Sequence, residues 1–126
     1  MNMQNPLAKV RGMGSSRSGI QHWRSQRYTA LLLLPLVAWL LWIGTTLAGA
    51  DYASARSIIA HPFHTGMAIL LAGSLFYHIQ LGLQVVIEDY VHIHVLEVTM
   101  LLFVRLVCIA GFLISAIAAL KLALGA

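Results

Sequence analysis

Three apolar stretches, each long enough to cross a bilayer, occupy most of this chain and decide what it is able to fold into. Tyr28 to Ala50 contains no Asp, Glu, Lys, Arg or His, and about 20 apolar helical residues suffice to cross the hydrocarbon core. Phe63 to Ile87 is a second stretch, whose strongly polar members are His64, His78, Gln80 and Gln84. In a membrane those side chains are expected to face protein rather than lipid. Val98 to Leu124 is a third, with Arg105 near its start and Lys121 near its end, both within snorkelling reach of an interface. Lipid leaves backbone polar groups no partner but each other, so uninterrupted apolar stretches of this length predict helices. The expected fold class is an all-α membrane protein with three transmembrane helices, spans about 28–50, 63–87 and 98–124. Pro35 falls inside the first span, where a kink is expected.

Composition removes the competing classes. The 126 residues are 60% hydrophobic and 10% charged, against roughly 25% charged in an ordinary soluble domain. A net charge of +4 would suit nucleic acid only if the cations clothed a folded surface, and that surface composition is missing. No nucleic-acid partner is expected. Cys108 is the single cysteine, which excludes an intrachain disulfide, a Cys-rich zinc site and the roughly four thiolates of an iron–sulfur cluster. In its apolar run it reads as a small hydrophobe.

The cations set an orientation. Lys9, Arg11, Arg17, Arg24 and Arg27 precede the first span without an acidic residue among them, whereas the connection Asp51 to Pro62 carries Arg56 alone. Cationic flanks stay in the cytoplasm, so the N-terminus is expected there and the C-terminus in the periplasm of a bacterial inner membrane, in preference to a mitochondrial one. The connection from Glu88 to Glu97 then returns to the cytoplasmic side. Residues 1–18 are expected to form a mobile cytoplasmic tail and residues 19–126 a three-span anchor domain.

Six histidines offer chemistry, and depth separates them. His61 and His64 fall at the outer end of the second span; His22, His92 and His94 fall near the cytoplasmic surface. His78 lies on the order of 14 Å of helix inside the Ile87 end. An imidazole at that depth is costly unless bonded or ligated. It either hydrogen-bonds across a helix interface or ligates haem iron through a neutral ring nitrogen. Gly73 and Gly82 on the same helix would admit a flat macrocycle or another helix. His64 precedes His78 by fourteen residues, a rotation that returns to within about 40° of the same face but roughly 21 Å away. One haem cannot span both, so either His78 pairs with a histidine from another chain, with His64 structural or interfacial, or each histidine serves a different haem; the first is the preferred reading. Tyr90, at the end of Glu88-Asp89-Tyr90, is either an aromatic-belt residue or a hydroxyl that donates to a quinone carbonyl, with a carboxylate beside it. Arg24 and Arg27 share a side if the first helix already begins there, and serve either to anchor topology or to bind a buried carboxylate. Trp23, Trp39 and Trp42 read as belt or packing residues. Arg105 is expected to meet an acidic partner such as Glu97 or a partner subunit, or only to snorkel.

Taken together, Ser18-Gly19, Arg27-x-Thr29-Ala30 at the mouth of the first span, His78, and Asp89-Tyr90 eleven residues after that histidine resemble the small, hydrophobic cytochrome-b membrane anchor of succinate dehydrogenase, respiratory complex II. The resemblance covers about residues 18 to 124. It implies that His78 is an axial ligand of haem b iron, its opposite ligand coming from a companion cytochrome-b anchor subunit that completes the helical bundle. It implies that Tyr90 contacts a ubiquinone carbonyl with Asp89 as its neighbour, and that Arg27 lies near the haem propionates. FAD and iron–sulfur clusters would reside only in partners, a flavoprotein and an iron–sulfur subunit, and this chain would carry electrons from succinate toward ubiquinone within the respiratory chain and tricarboxylic acid cycle. The sequence departs from the pattern after the Asp-Tyr pair, where His92, His94 and Glu97 stand in place of a basic residue. Two other readings remain open at this point: a haem-free structural membrane protein, and the anchor of a fumarate reductase.

Overall fold

In the computed structural model, which describes residues 17–125, the chain is all-α. Its helices are α1 (Arg17–Leu47), α2 (Tyr52–Ile59), α3 (Pro62–Tyr90) and α4 (His94–Leu124). Three of them contain segments long and apolar enough to cross a membrane, namely Ile20–Leu47, Pro62–Tyr90 and His94–Leu124. The three expected spans are therefore present, and each helix is longer than the apolar stretch that announced it.

The largest extension is at the start. α1 begins at Arg17 rather than Tyr28, because the polar residues from Gln21 to Arg27 interrupt the apolar run without interrupting the helix. The helix thus takes in Arg17 and Ser18 of the expected tail; the rest of that tail, residues 1–16, lies outside the described residues. Pro35 sits within continuous α1 with its ring exposed. The connection between the first two spans is not plain loop, since it holds α2, which Asp51 precedes in extended conformation.

Helix ends follow local chemistry. Pro62 occupies the first turn of α3, where its missing N–H costs nothing, and His61 caps that turn by accepting from the Phe63 amide at 3.2 Å. α4 stops at Gly125, whose φ of 78° closes the helix with a bond from its amide to the Lys121 carbonyl at 3.0 Å. A left-handed residue at this point favours glycine.

α3 is the central helix, packed along α4 on one side and α1 on the other, with α2 resting on α3 and α4. Lipid tails are as apolar as leucine, so helix association here relies on close fit and polar bonds. The α3–α4 seam shows the fit as an exchange. Phe112 of α4 packs over Gly73 of α3, and Phe76 of α3 packs over Gly111 of α4 so tightly that a Cβ on Gly111 would stand 2.5 Å from its ring. On α1 the buried side chains are Thr29, Leu36 and Ile43, a seven-residue spacing that keeps one stripe against α3. Outside this thin core most large apolar side chains are exposed, Leu34 at 68% and Phe103 at 67% among them. Apolar surface this extensive belongs in lipid rather than water.

Candidate functional site

The polar residues of α1 up to Thr29 are arranged by helix geometry, not scattered. His22, Gln26 and Thr29 recur at spacings of four and three, which puts them on one face. That face meets α3 at His78. Thr29 Oγ1 lies 2.9 Å from His78 Nδ1, and Gln26 Nε2 lies 3.4 Å from His78 Nε2.

Thr29 Oγ1 also lies within hydrogen-bond distance of main-chain carbonyls one turn back, Ser25 O at 2.9 Å and Gln26 O at 3.0 Å. A hydroxyl proton given to either carbonyl leaves Oγ1 to accept from His78 Nδ1–H. In that tautomer the Nε2 lone pair faces α1 and the Gln26 amide; the donor and acceptor roles at both contacts follow the tautomer.

Beside this contact lies a cavity of about 590 Å³, walled by His22, Trp23, Gln26, Gly82, Gln84 and Glu88. Two buried polar atoms of its lining residues, His22 Nε2 and Gln26 Oε1, have no hydrogen-bond partner. Buried polar groups are normally paired, so the cavity is unfinished by this chain alone. Gly82, one turn beyond His78, leaves room for Gln26, whose Nε2 a Cβ there would meet at 3.6 Å. Gly73 is instead filled by Phe112. Gln84 donates to Glu88 Oε1 at 2.7 Å, which places a carboxylate at the mouth of the cavity.

The other expected site residues stand apart. Asp89 and Tyr90 lie on the last turn of α3, roughly 16 to 18 Å along the axis from His78, and both are exposed, Tyr90 by 79%. Neither makes a side-chain hydrogen bond among the described residues. Arg27 does not line the cavity. Its guanidinium stacks 4.7 Å above the Trp23 ring, which does. Arg24 donates to the Tyr28 hydroxyl at 3.2 Å. Arg105 does not meet Glu97, which faces His94 Nδ1 at 3.8 Å; Arg105 shares a shallow groove with Gln80 and Gln84. The four polar side chains of the second span are half-buried rather than lipid-exposed. Cys108 is buried. No group of three or more His, Cys, Asp or Glu side chains comes together among the described residues.

His64, at the opposite end of α3, has the reverse arrangement. Trp39 Nε1–H donates to its Nδ1 at 3.2 Å. Trp39 stacks on the imidazole with ring centres 6.0 Å apart, and Trp42, His61 and Phe63 surround it at 5.3 to 6.2 Å. An indole N–H is a donor only, so the neutral ring keeps its proton on Nε2. Sequence reasoning missed both Thr29 and Gln26 as partners of His78. The spacing of His22, Gln26 and Thr29 was the available signal.

The molecule is thus a three-span helical membrane protein with an imidazole-centred polar site at one end of its bundle. Residues 1–118 match the family of succinate dehydrogenase/fumarate reductase transmembrane subunits. The chain belongs to that family. It is similar to the succinate dehydrogenase hydrophobic membrane anchor subunit of Rickettsia typhi, 33% identical over 103 residues and 82% of each chain, and to that of Rickettsia conorii, 33% identical over 104 residues with the same coverage. The succinate dehydrogenase membrane anchor subunit of Reclinomonas americana is 28% identical over 97 residues, 75% of this chain and 81% of that one. No solved structure is significantly similar.

Proposed function

We propose that this chain is the small membrane anchor of a succinate:quinone oxidoreductase, that His78 is one axial ligand of a b-type haem, and that Asp89 and Tyr90 form part of a ubiquinone site. The observation that carries the reading is the contact of His78 with Thr29. Iron needs a ring nitrogen with a free lone pair, while the other nitrogen is oriented by a hydrogen bond. Thr29 Oγ1, 2.9 Å from Nδ1, is placed to accept that bond, which would leave the lone pair on Nε2. The adjoining cavity and its two unpaired polar atoms, His22 Nε2 and Gln26 Oε1, are what a bound group with polar substituents would complete. Arg27, stacked on Trp23 beside the cavity, would hold a propionate.

When bound, the haem would supply a one-electron centre beside the quinone site. This chain's own residues hold and orient. Reduction of ubiquinone consumes two electrons and two protons, and the electrons would come from succinate through a flavoprotein and an iron–sulfur subunit. Tyr90, exposed on the last turn of α3, donates its hydroxyl proton in a hydrogen bond to a quinone carbonyl and so favours charge developing there. Asp89 relays a proton toward the same oxygen. Both side chains are open because their opposing wall belongs to partner subunits. The basic N-terminal segment supports a cytoplasmic setting for Tyr90, on the inner face of a bacterial inner membrane.

A haem-free role has one observation behind it: both His78 nitrogens already have partners on α1, so Gln26 has to turn aside for iron to bind. A fumarate reductase anchor would use the same residues in the opposite direction. The test is purification of the native complex with its subunits identified by mass spectrometry and its succinate-driven reduction of a soluble ubiquinone analogue measured. Co-purifying flavoprotein and iron–sulfur subunits with succinate-dependent turnover support the proposal. Isolation of the chain without redox partners overturns it.

A further inference from the structure

A second cavity, of about 400 Å³, lies between α1, α3 and α4 on the His64 side of His78. Along α3 its wall runs from His64 through Ala68, Leu71 and Ala72 to Phe76, roughly 18 Å of helix. Trp39 closes the α1 side. The lining is apolar apart from the imidazole, the indole N–H and one hydroxyl, and the last two are already engaged. Trp39 Nε1–H is bonded to His64 Nδ1, and Ser115 donates to the Gly111 carbonyl at 2.8 Å.

One donor is left. Because Nδ1 accepts from Trp39, the His64 proton sits on Nε2, and that atom has no hydrogen-bond partner among the described residues. His64 lies in the first turn of a membrane-spanning helix, beside Trp42 and Trp39, at the depth where aromatic residues gather and lipid ester groups lie. His64 Nε2 is not among the buried unpaired atoms, which are His22 Nε2 and Gln26 Oε1, so it stays open to a partner from outside the chain. The protonated nitrogen offers iron no lone pair, so His64 is not a second haem ligand in this arrangement.

We propose that this cavity binds one acyl chain of an ester-linked membrane glycerolipid, whose ester carbonyl accepts from His64 Nε2–H while the chain runs along α3 toward Phe76. The shape and the donor count select this occupant. The cavity is long and apolar, as a saturated chain requires, and a single free donor matches a single carbonyl. A quinone ring would bring two carbonyls and find one donor. The inference does not rest on haem or quinone at the other end of the bundle.

The test uses the assembled complex containing the full chain, reconstituted with phosphatidylethanolamine or with its ether-linked analogue, which keeps the chains and lacks the carbonyl. Lipid retained through mild delipidation is counted by native mass spectrometry. The expected result is one phosphatidylethanolamine held about fivefold more tightly than the ether analogue, the worth of one hydrogen bond. His64→Phe, which keeps the aromatic stack and removes the donor, should abolish that difference. Ala72→Trp should fill the cavity and release the lipid. Equal retention of ester and ether lipids by the unaltered chain overturns the proposal. So does a retained quinone in place of the lipid, or a lipid count unchanged by Ala72→Trp. If Ala72→Trp does not assemble, the ester and ether comparison in the unaltered complex decides.

Discussion

His64 and His78 stand on the same helix, fourteen residues apart and on nearly the same face, yet their neighbours on α1 give them opposite chemistry. At the His78 end the partners are Thr29 and Gln26, a hydroxyl and an amide, each able to donate or accept, so the ring is free to carry its lone pair on Nε2. At the His64 end the partner is an indole, which can only donate and so fixes the proton on Nε2. The same residue type becomes a candidate metal ligand in one place and a hydrogen-bond donor in the other. What differs is the second side chain, not the histidine. Burial alone would not have separated them, since both rings are half-buried.

Several substitutions break or sharpen that contrast. The largest effect is expected at the polar end. Tyr90→Phe should lower succinate-driven quinone reduction by about a hundredfold while leaving haem absorbance and assembly intact; unchanged turnover with a soluble quinone analogue would remove Tyr90 from the site. Thr29→Val keeps the size of the side chain and removes the oxygen that orients Nδ1. It should weaken haem retention by about tenfold, as loss of a ligand's supporting hydrogen bond does, and Thr29→Ser should restore it. If valine and serine retain haem equally, the tautomer argument fails.

Between the two histidines lies the Phe76–Gly111 contact, which joins α3 to α4 and puts Phe76 in the wall of the apolar cavity. Gly111→Val should cost about 1–3 kcal/mol through overpacking, read as a lower thermal transition of the complex with an unaltered haem spectrum. A shifted spectrum would show that the middle of the bundle and the His78 end are mechanically coupled. The smallest effect is expected at the aromatic end. Trp39→Phe keeps an aromatic ring and deletes one N–H, at a cost of about 1 kcal/mol or less for an intramembrane hydrogen bond, read as a small drop in the same thermal transition.

The spans were plain in the sequence because lipid allows few alternatives to a helix, and apolar runs of that length have one use. His78 stood out for a related reason: an ionisable side chain among apolar neighbours is costly and therefore conspicuous. What stayed hidden were features that depend on two helices at once. α1 extends back to Arg17 because a helix tolerates polar residues that an apolar run does not, and the polar stripe of His22, Gln26 and Thr29 starts in that hidden stretch. Arg105 was paired with Glu97 as one expectation, but the two lie about 12 Å apart along the helix, and Glu97 is within reach of His94. The exposed state of Tyr90 and Asp89 belongs to the same category, since a site at the end of one helix needs walls that this chain does not supply.

The most direct test of the account compares His78→Ala with His64→Ala in the detergent-purified complex, using dithionite-reduced minus oxidised optical spectra. The account predicts a b-type haem signal in the unaltered complex and in His64→Ala, and its loss in His78→Ala. A signal that survives His78→Ala, or that disappears only in His64→Ala, would contradict it and transfer the ligand to the other end of α3.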